Sequence, residues 1–286
     1  MAEISAAVVM KLRKMSGQGM MDCKKALEET GGDLEKAMDV LRKKGLATLA
    51  KRAERETSEG IVVFTQGDNW ASLATLCCET DFVAKSDDFA AAVESIRKYM
   101  AECKAASGAD NLQETQVDGK KLSDIITETV SRTGEKMVVG DYARYYLSGP
   151  GLIGSYIHFN GKVGAMVKIE TNDQSVAAAA SLRQTANELA MHITATKPKA
   201  LDRDGIDAAT IEREKSIYAE QAKNKPPQIV EKIVEGKMRN YYAESCLLEQ
   251  PFVKDDSKSV EQVLTEAAEK AGGQAKIVDF ARFEVG

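Results

Sequence analysis

Two histidines, five cysteines, one formal glycine-rich run and one corner pairing an aromatic with a carboxylate are the places in this 286-residue chain where chemistry could sit. Gly149-Pro150-Gly151-Leu152-Ile153-Gly154 satisfies the GxGxxG spacing. Strand, turn and strand follow it, however, rather than a helix whose N-terminus could hold a pyrophosphate. No GxxxxGK[ST], HExxH or GxSxG is found. His158 falls in a strand and His192 near a helix end, with no cysteine cluster beside either, so neither a metal nor any other cofactor is expected. Cys23, Cys77, Cys78, Cys103 and Cys246 are odd in number, sparse and without a CxxC, which fits a reducing compartment and not a disulfide framework. The vicinal Cys77-Cys78 should point to opposite faces of a strand and reads as two small hydrophobes. Covalent turnover therefore has no candidate residues, and the chain is not expected to be an enzyme.

The corner is different. Glu79-Thr80-Asp81-Phe82-Val83-Ala84-Lys85 stands where the apolar run Ala74-Thr75-Leu76-Cys77-Cys78 stops and a helical pattern begins. Phe82 either fills a local core, the common fate of phenylalanine, or presents an apolar ring beside the carboxylate of Asp81. Met20-Met21, at the exit of a glycine-containing loop, poses the same choice between core and adaptable contact surface.

The elements that must position these residues are legible from period and caps. Ile4, Val8, Leu12 and Met15 keep helical spacing until Ser16-Gly17-Gln18-Gly19 interrupts it. A second short helix opens at Met20 and stops at Gly31-Gly32, and Asp33 caps a third. From Gly60 the period is two. Ile61–Gln66 and Trp70–Cys78 read as a hairpin across Gly67-Asp68-Asn69, and Ser86 caps a helix carrying Phe89, Val93, Ile96 and Met100 on one face. The polar stretch 108–120 reads as a loop, followed by a helix over 122–132 and a strand from Lys136 to Leu147. The order then recurs. A strand from Gly154, a turn at Asn160-Gly161, the strand from Val163 and an alanine-rich helix to His192 repeat it, and Glu170-Thr171-Asn172 aligns with Glu79-Thr80-Asp81. Where the first half has Asp81-Phe82 the second has Asn172-Asp173, so the shared architecture does not itself demand an aromatic. Two helices joined at Asn224-Lys225-Pro226-Pro227 form a hairpin, Ser259 caps a last helix, and a strand closes the chain.

The class is α+β, with domains at 1–56 (three helices and a charged linker), 57–148, 149–208 with 251–286, and an inserted hairpin at 209–250. Thirty-nine basic against 44 acidic residues give a net charge of −5, which argues against generic attraction to nucleic acid or membrane. Arg42-Lys43-Lys44 and Lys51-Arg52 lie among acids and read as solvated helix faces. Neither a signal peptide nor an apolar run long enough to span a bilayer is visible, so a cytoplasmic protein is expected.

Six segments in order, from MSGQGMMDCKKALEETGGDLEKAMDVLRKKG through CCETDFVAKSDDF, GSYIHFNGKVG, ELAMHITATKP and IVEGKMRNYY to LLEQPFV, resemble the bacterial elongation factor Ts family over nearly the whole chain. The resemblance implies a guanine-nucleotide exchange factor that binds elongation factor Tu, dislodges its Mg2+ and promotes GDP release. It also implies that the first module is similar to ubiquitin-associated domains and meets the partner's GTPase domain through Leu12, Met20, Met21 and Lys24. Thr80, Asp81, Phe82 and Val83 would disturb the magnesium site, with Asp81 and Phe82 inserted between two partner helices. His158 would lie near the partner's third domain, and the 209–250 hairpin would be the family's coiled-coil arm. Assembly is left open between a homodimer and a heterotetramer with the partner. Residues 108–120 depart from the family's pattern, and at Glu284-Val285-Gly286 some members add a C-terminal helix whose contribution is not expected here. The rival reading is a ubiquitin-associated-type adaptor that binds proteins without exchanging nucleotide.

Overall fold

The structure is a computed structural model and describes residues 4–286. The chain divides into two compact units. One runs to Arg144 and takes in Asn160–Val163 and Phe283–Gly286; the other is Tyr145–Phe159 with Gly164–Arg282.

The first unit opens with α1 (Ala6–Ser16), α2 (Met20–Glu29) and α3 (Leu34–Lys51). Gly17 ends α1 in the left-handed region at φ 67°, which a side chain would resist, and Asp33 starts α3 by accepting the amides of Glu35 and Lys36 at 3.1 Å each. Val9, Leu12, Cys23, Leu27, Ala37 and Leu41 close a small core between the three helices. α3 continues to Lys51, into the first residues of the charged stretch expected to be a linker or a helix trailing into one. Its far half has a surface to lie on: Gly45 comes so close to a later helix that a Cβ there would sit 2.5 Å from the carbonyl oxygen of Thr127, and Leu49 packs on the main core.

That core is built by β1 (Glu59–Gln66), β2 (Trp70–Cys78), α4 (Asp81–Ala84), α5 (Asp87–Glu102), α6 (Ala109–Glu114), β3 (Gln116–Val117), β4 (Lys120–Lys121), α7 (Leu122–Thr133) and β5 (Met137–Tyr146). β1 and β2 pair antiparallel from Glu59↔Cys78 to Gln66↔Ala71, and β5 joins the other edge of β2. Phe89, Ile96 and Met100 of α5 and Leu122, Ile126 and Val130 of α7 fill the space over the sheet. The stretch 108–120, expected as a loop, holds α6 and the β3–β4 hairpin instead. Leu112 anchors α6 in the core, and Asp118 and Gly119 at φ 52° and 79° make the turn. A six-residue helix with one buried apolar side chain has too few turns to show a period.

The second unit repeats the plan with β6 (Gly151–Ile157), β7 (Val163–Thr171), α8 (Gln174–Ala178), α9 (Ala180–Thr196), α10 (Ala208–Gln221), α11 (Pro227–Ser245), β8 (Pro251–Phe252), β9 (Asp255–Ser259), α12 (Val260–Lys270) and β10 (Ala275–Glu284). Its sheet order is β10-β7-β6. In both sheets a hairpin comes first and the strand that follows the helices returns beside the hairpin's second strand. Gly154 permits a close approach here, since a Cβ would lie 2.4 Å from the carbonyl carbon and oxygen of Ala186 on α9. α10 and α11 pack as a hairpin in which the side chains of Lys237 and Gln221 hydrogen-bond.

His192, fully buried on α9, ties this unit together. Its Nδ1 accepts the Val253 amide at 3.2 Å, so Nε2 carries the proton and donates to Gln250 Oε1 at 2.9 Å. Gln250 also accepts from Thr196 Oγ1 and donates to the Glu244 carbonyl at the end of α11. Burial lowers the imidazole's pKa below its ordinary value of 6.5, against a smaller opposing effect of the Gln250 bond. The folded state thus binds the proton less readily than the unfolded chain. Its stabilising contribution is complete above pH 6.5 and is lost as pH falls through the lowered value. Melting midpoints measured between about pH 7 and 5 should fall, and the fall should be shallower in His192→Gln; equal slopes would remove His192 as the cause.

Candidate functional site

Thr80 stands two residues past the end of β2 and caps the single turn α4. Its Oγ1 accepts the Val83 amide at 3.3 Å, and its carbonyl accepts the Ala84 amide at 3.1 Å. Ser86 closes the turn by donating to the Val83 carbonyl at 2.8 Å and then opens α5 by accepting the Phe89 amide at 3.2 Å. Four residues of helix cannot hold themselves, so these caps fix the direction of every side chain on the turn. Val83 points inward and packs on the main core. Phe82 points the other way and is 83% exposed. Of the two alternatives for this ring, local core is therefore the wrong one.

Asp81 shares the outer face with Lys85, four residues on, and their side chains pair at 2.7 Å. The hydrogen bond from Lys85 holds the Asp81 carboxyl below the ordinary aspartate range. An exposed pair of this kind is worth little, so Asp81 can exchange Lys85 for another donor at small cost.

Beneath the turn lies a network that the sequence did not announce. The Glu79 side chain is only 9% exposed, and its carboxylate accepts from Arg52 at 2.7 and 2.8 Å, from Arg55 at 3.0 Å and from the Lys136 amide at 2.7 Å. Burial alone would raise its pKa, but these donors outweigh burial and hold the carboxyl below its ordinary value. Lys136 Nζ in turn donates to the carbonyls of Ala53 and Arg55 at 2.7 and 2.9 Å, so the segment after α3 is fastened down. Cys78 donates to the Thr80 carbonyl at 3.3 Å, and burial, with the nearby charge of Glu135, pushes its thiol up to about 12. Cys77 is raised as well, by burial first. Both sulfurs stay protonated and unreactive, as the reading of small hydrophobes requires.

The other expected contact residues separate into two groups. Met20 and Met21 are exposed at the start of α2, beside an exposed Lys24 that pairs with Glu28 at 3.8 Å. Leu12 has no exposed surface. Its place at helical spacing with Val8 puts it in the three-helix core, beneath the surface that Met20 and Met21 present. In the second unit His158 is half-buried. Its Nδ1 lies 3.3 Å from the Tyr156 hydroxyl and its ring 4.4 Å from that of Phe159, which is 90% exposed. Phe159 escaped notice because it follows a strand of ordinary alternation; only the abutting Asn160-Gly161 turn signals that its ring would stand at a tip.

Gln18 was also missed. It is buried in the loop between α1 and α2, donates from Nε2 to the Glu128 carbonyl at 3.2 Å and accepts from Ser131 Oγ at 3.3 Å, which docks the helical module on α7. The glycine-rich run leads straight into β6, so no helix N-terminus faces it. Among the described residues no cluster of metal-ligating side chains occurs, and no helix is long and apolar enough to cross a membrane.

The profile of the family described as Elongation factor TS matches residues 79–286. Curated relatives named Elongation factor Ts include one from a Nitratiruptor species, 42% identical over 99% of this chain and 93% of the relative. One from Clostridium kluyveri is 40% identical over 99% and 93%, and one from Methylobacterium nodulans is 43% identical over 100% and 93%.

Because Phe82 is solvated and Val83 is half-buried against the core, the two should differ in stability effect. Phe82→Ala should change the unfolding free energy by less than about 0.5 kcal/mol, whereas Val83→Ala should cost roughly 1 kcal/mol. Urea denaturation of the two variants checks this.

Proposed function

The chain belongs to the elongation factor Ts family, and we propose that it acts as a cytoplasmic guanine-nucleotide exchange factor, inserting Phe82 and Asp81 into elongation factor Tu to loosen Mg2+ and release GDP. The observation that carries this reading is a large apolar ring held in water on a turn whose backbone is capped at both ends. No bond is made or broken in such a reaction. The factor needs only to prefer the nucleotide-free partner over the GDP-bound one, and whatever factor it takes from GDP's affinity, GDP takes from its own. Burying one phenylalanine contributes roughly 1.5–3 kcal/mol, enough to offset a displaced magnesium or phosphate contact of similar size. Asp81 adds an anion beside the ring, free to leave Lys85 for a donor on the partner or to repel the nucleotide's phosphates.

Met20, Met21 and Lys24 fit docking rather than displacement, since thioethers adapt to an uneven surface and lie on a different helix from the wedge. His158, steadied by Tyr156 and flanked by the exposed Phe159, fits a second contact. Five free cysteines accord with a reducing compartment.

Release of fluorescent GDP from elongation factor Tu separates these roles. Phe82→Ala should slow release at saturating factor by roughly ten-fold or more, the equivalent of the lost burial. A wild-type rate from that variant would leave only an adaptor. Met20→Ala with Met21→Ala should raise the concentration needed for half-maximal release several-fold while changing the saturating rate little; the reverse pattern would put the methionines in displacement.

A further inference from the structure

Glu135 touches none of the surfaces just described, yet it holds the wedge. It stands between Gly134, which ends α7 at φ 73°, and Met137, where β5 begins. Its two carboxylate oxygens accept from a single residue: Oε1 takes the Thr80 hydroxyl at 2.8 Å and Oε2 takes the Thr80 amide at 3.1 Å. The geometry is reciprocal, because Glu79 accepts the amide of Lys136 while Glu135 accepts the amide of Thr80. Two consecutive residues on each side thus form a double clasp across 55 positions of sequence.

The Thr80 bonds have a specific consequence. A hydroxyl carries one proton, and committing it to Glu135 leaves the oxygen's lone pairs free to accept the Val83 amide, the bond that caps α4. The amide that Glu135 holds belongs to the residue just before the turn, so the strand end cannot swing away from it. Val83 anchors one side of the turn by packing; Glu135 anchors the other by charge-assisted hydrogen bonds. Between these two anchors lies Phe82, which has little packing of its own to decide where its ring points.

Resting on the wedge reading above, we propose that Glu135 is a positioning residue for nucleotide exchange: it keeps the capped turn formed, and Phe82 presented, before the partner arrives. Without it the turn would have to order itself during insertion, and that cost would be subtracted from the coupling that expels GDP. The loss belongs to the displacement step. Docking through other surfaces is untouched, so the saturating rate should suffer more than the half-saturating concentration.

The test is GDP release from elongation factor Tu, titrated with full-length Glu135→Ala, Thr80→Val, their double variant and Phe82→Ala. Glu135→Ala should lower the saturating rate roughly five-fold, as expected for losing a helix cap and its charged partner, with half-saturation moved less than about two-fold. On the Thr80→Val background, adding Glu135→Ala should cost less than it does in the wild type, because the hydroxyl bond is already gone and only the bond to the Thr80 amide remains to be lost. Glu135→Gln, which keeps the length and one acceptor oxygen, should recover part of the rate, and it replaces Glu135→Ala should that variant fail to fold. A role in stability alone would lower the melting temperature yet leave the saturating rate of the folded protein at the wild-type value. That result, or additive losses from Thr80 and Glu135, overturns the assignment while Phe82→Ala remains slow. If Phe82→Ala exchanges like the wild type, the wedge reading falls and the role of Glu135 falls with it.

Discussion

A phenylalanine ring kept in water is the constraint on which the first unit depends. Hydrophobic collapse acts against such an arrangement, since folding the ring inward would recover apolar burial. The chain prevents it with backbone geometry. Thr80 and Ser86 cap a turn of four residues, Val83 occupies the inward direction, and the carboxylates of Glu79 and Glu135 lock the strand end to the start of β5. On the strand-end side the anchors are polar, which fixes the backbone without adding apolar surface toward which the ring could fold.

The second unit shows what the same fold does without that constraint. Glu170-Thr171-Asn172 leads from β7 toward α8 as Glu79-Thr80-Asp81 leads from β2 into α4, and both sheets share one topology. Here the corner is tied to the turn after α12. Asn172 exchanges two hydrogen bonds with Gln274, at 3.1 and 2.7 Å, and Gly273 approaches so closely that a Cβ would lie 2.4 Å from Asn172 Oδ1. Asn172 and Asp173 nonetheless stay exposed, so the two corners differ in what they present to solvent: a paired amide and a carboxylate in the second unit, a carboxylate and an apolar ring in the first.

Legibility followed distance along the chain. The strand Trp70–Cys78 and the caps Asp33, Ser86 and Ser259 could be read off because period and capping are set by near neighbours. Helical spacing placed Ile4, Val8, Leu12 and Met15 on one stripe; the first three pack into the core while Met15 is exposed, and Leu12 has no surface of its own to offer a partner. Phe82 was singled out by position, but the residues around it could not decide between core and surface; the family resemblance did. Glu135, Gln18 and the Arg52–Glu79 pair were illegible because each gains its meaning from a residue far away in sequence that the fold brings alongside. A buried glutamine and a surface glutamine look the same in a string of letters. The α6 segment failed for the opposite reason, being too short for local pattern to accumulate.

In the proposed exchange cycle the corner has to enter a partner and leave it, and the charge around it is distributed to suit both steps. Below the turn the Glu79 carboxylate is largely shielded and bonded by Arg52 and, from the surface, by Arg55, so it holds its geometry through both steps. The pair above it, Asp81 with Lys85, is exposed and contributes little whether made or broken. A wedge with a strong outer pair would have to break it on every insertion, while one with a weak inner clasp would let the ring drift between visits. Stiff beneath and loosely paired on top is the distribution that this proposed cycle of insertion and withdrawal asks for.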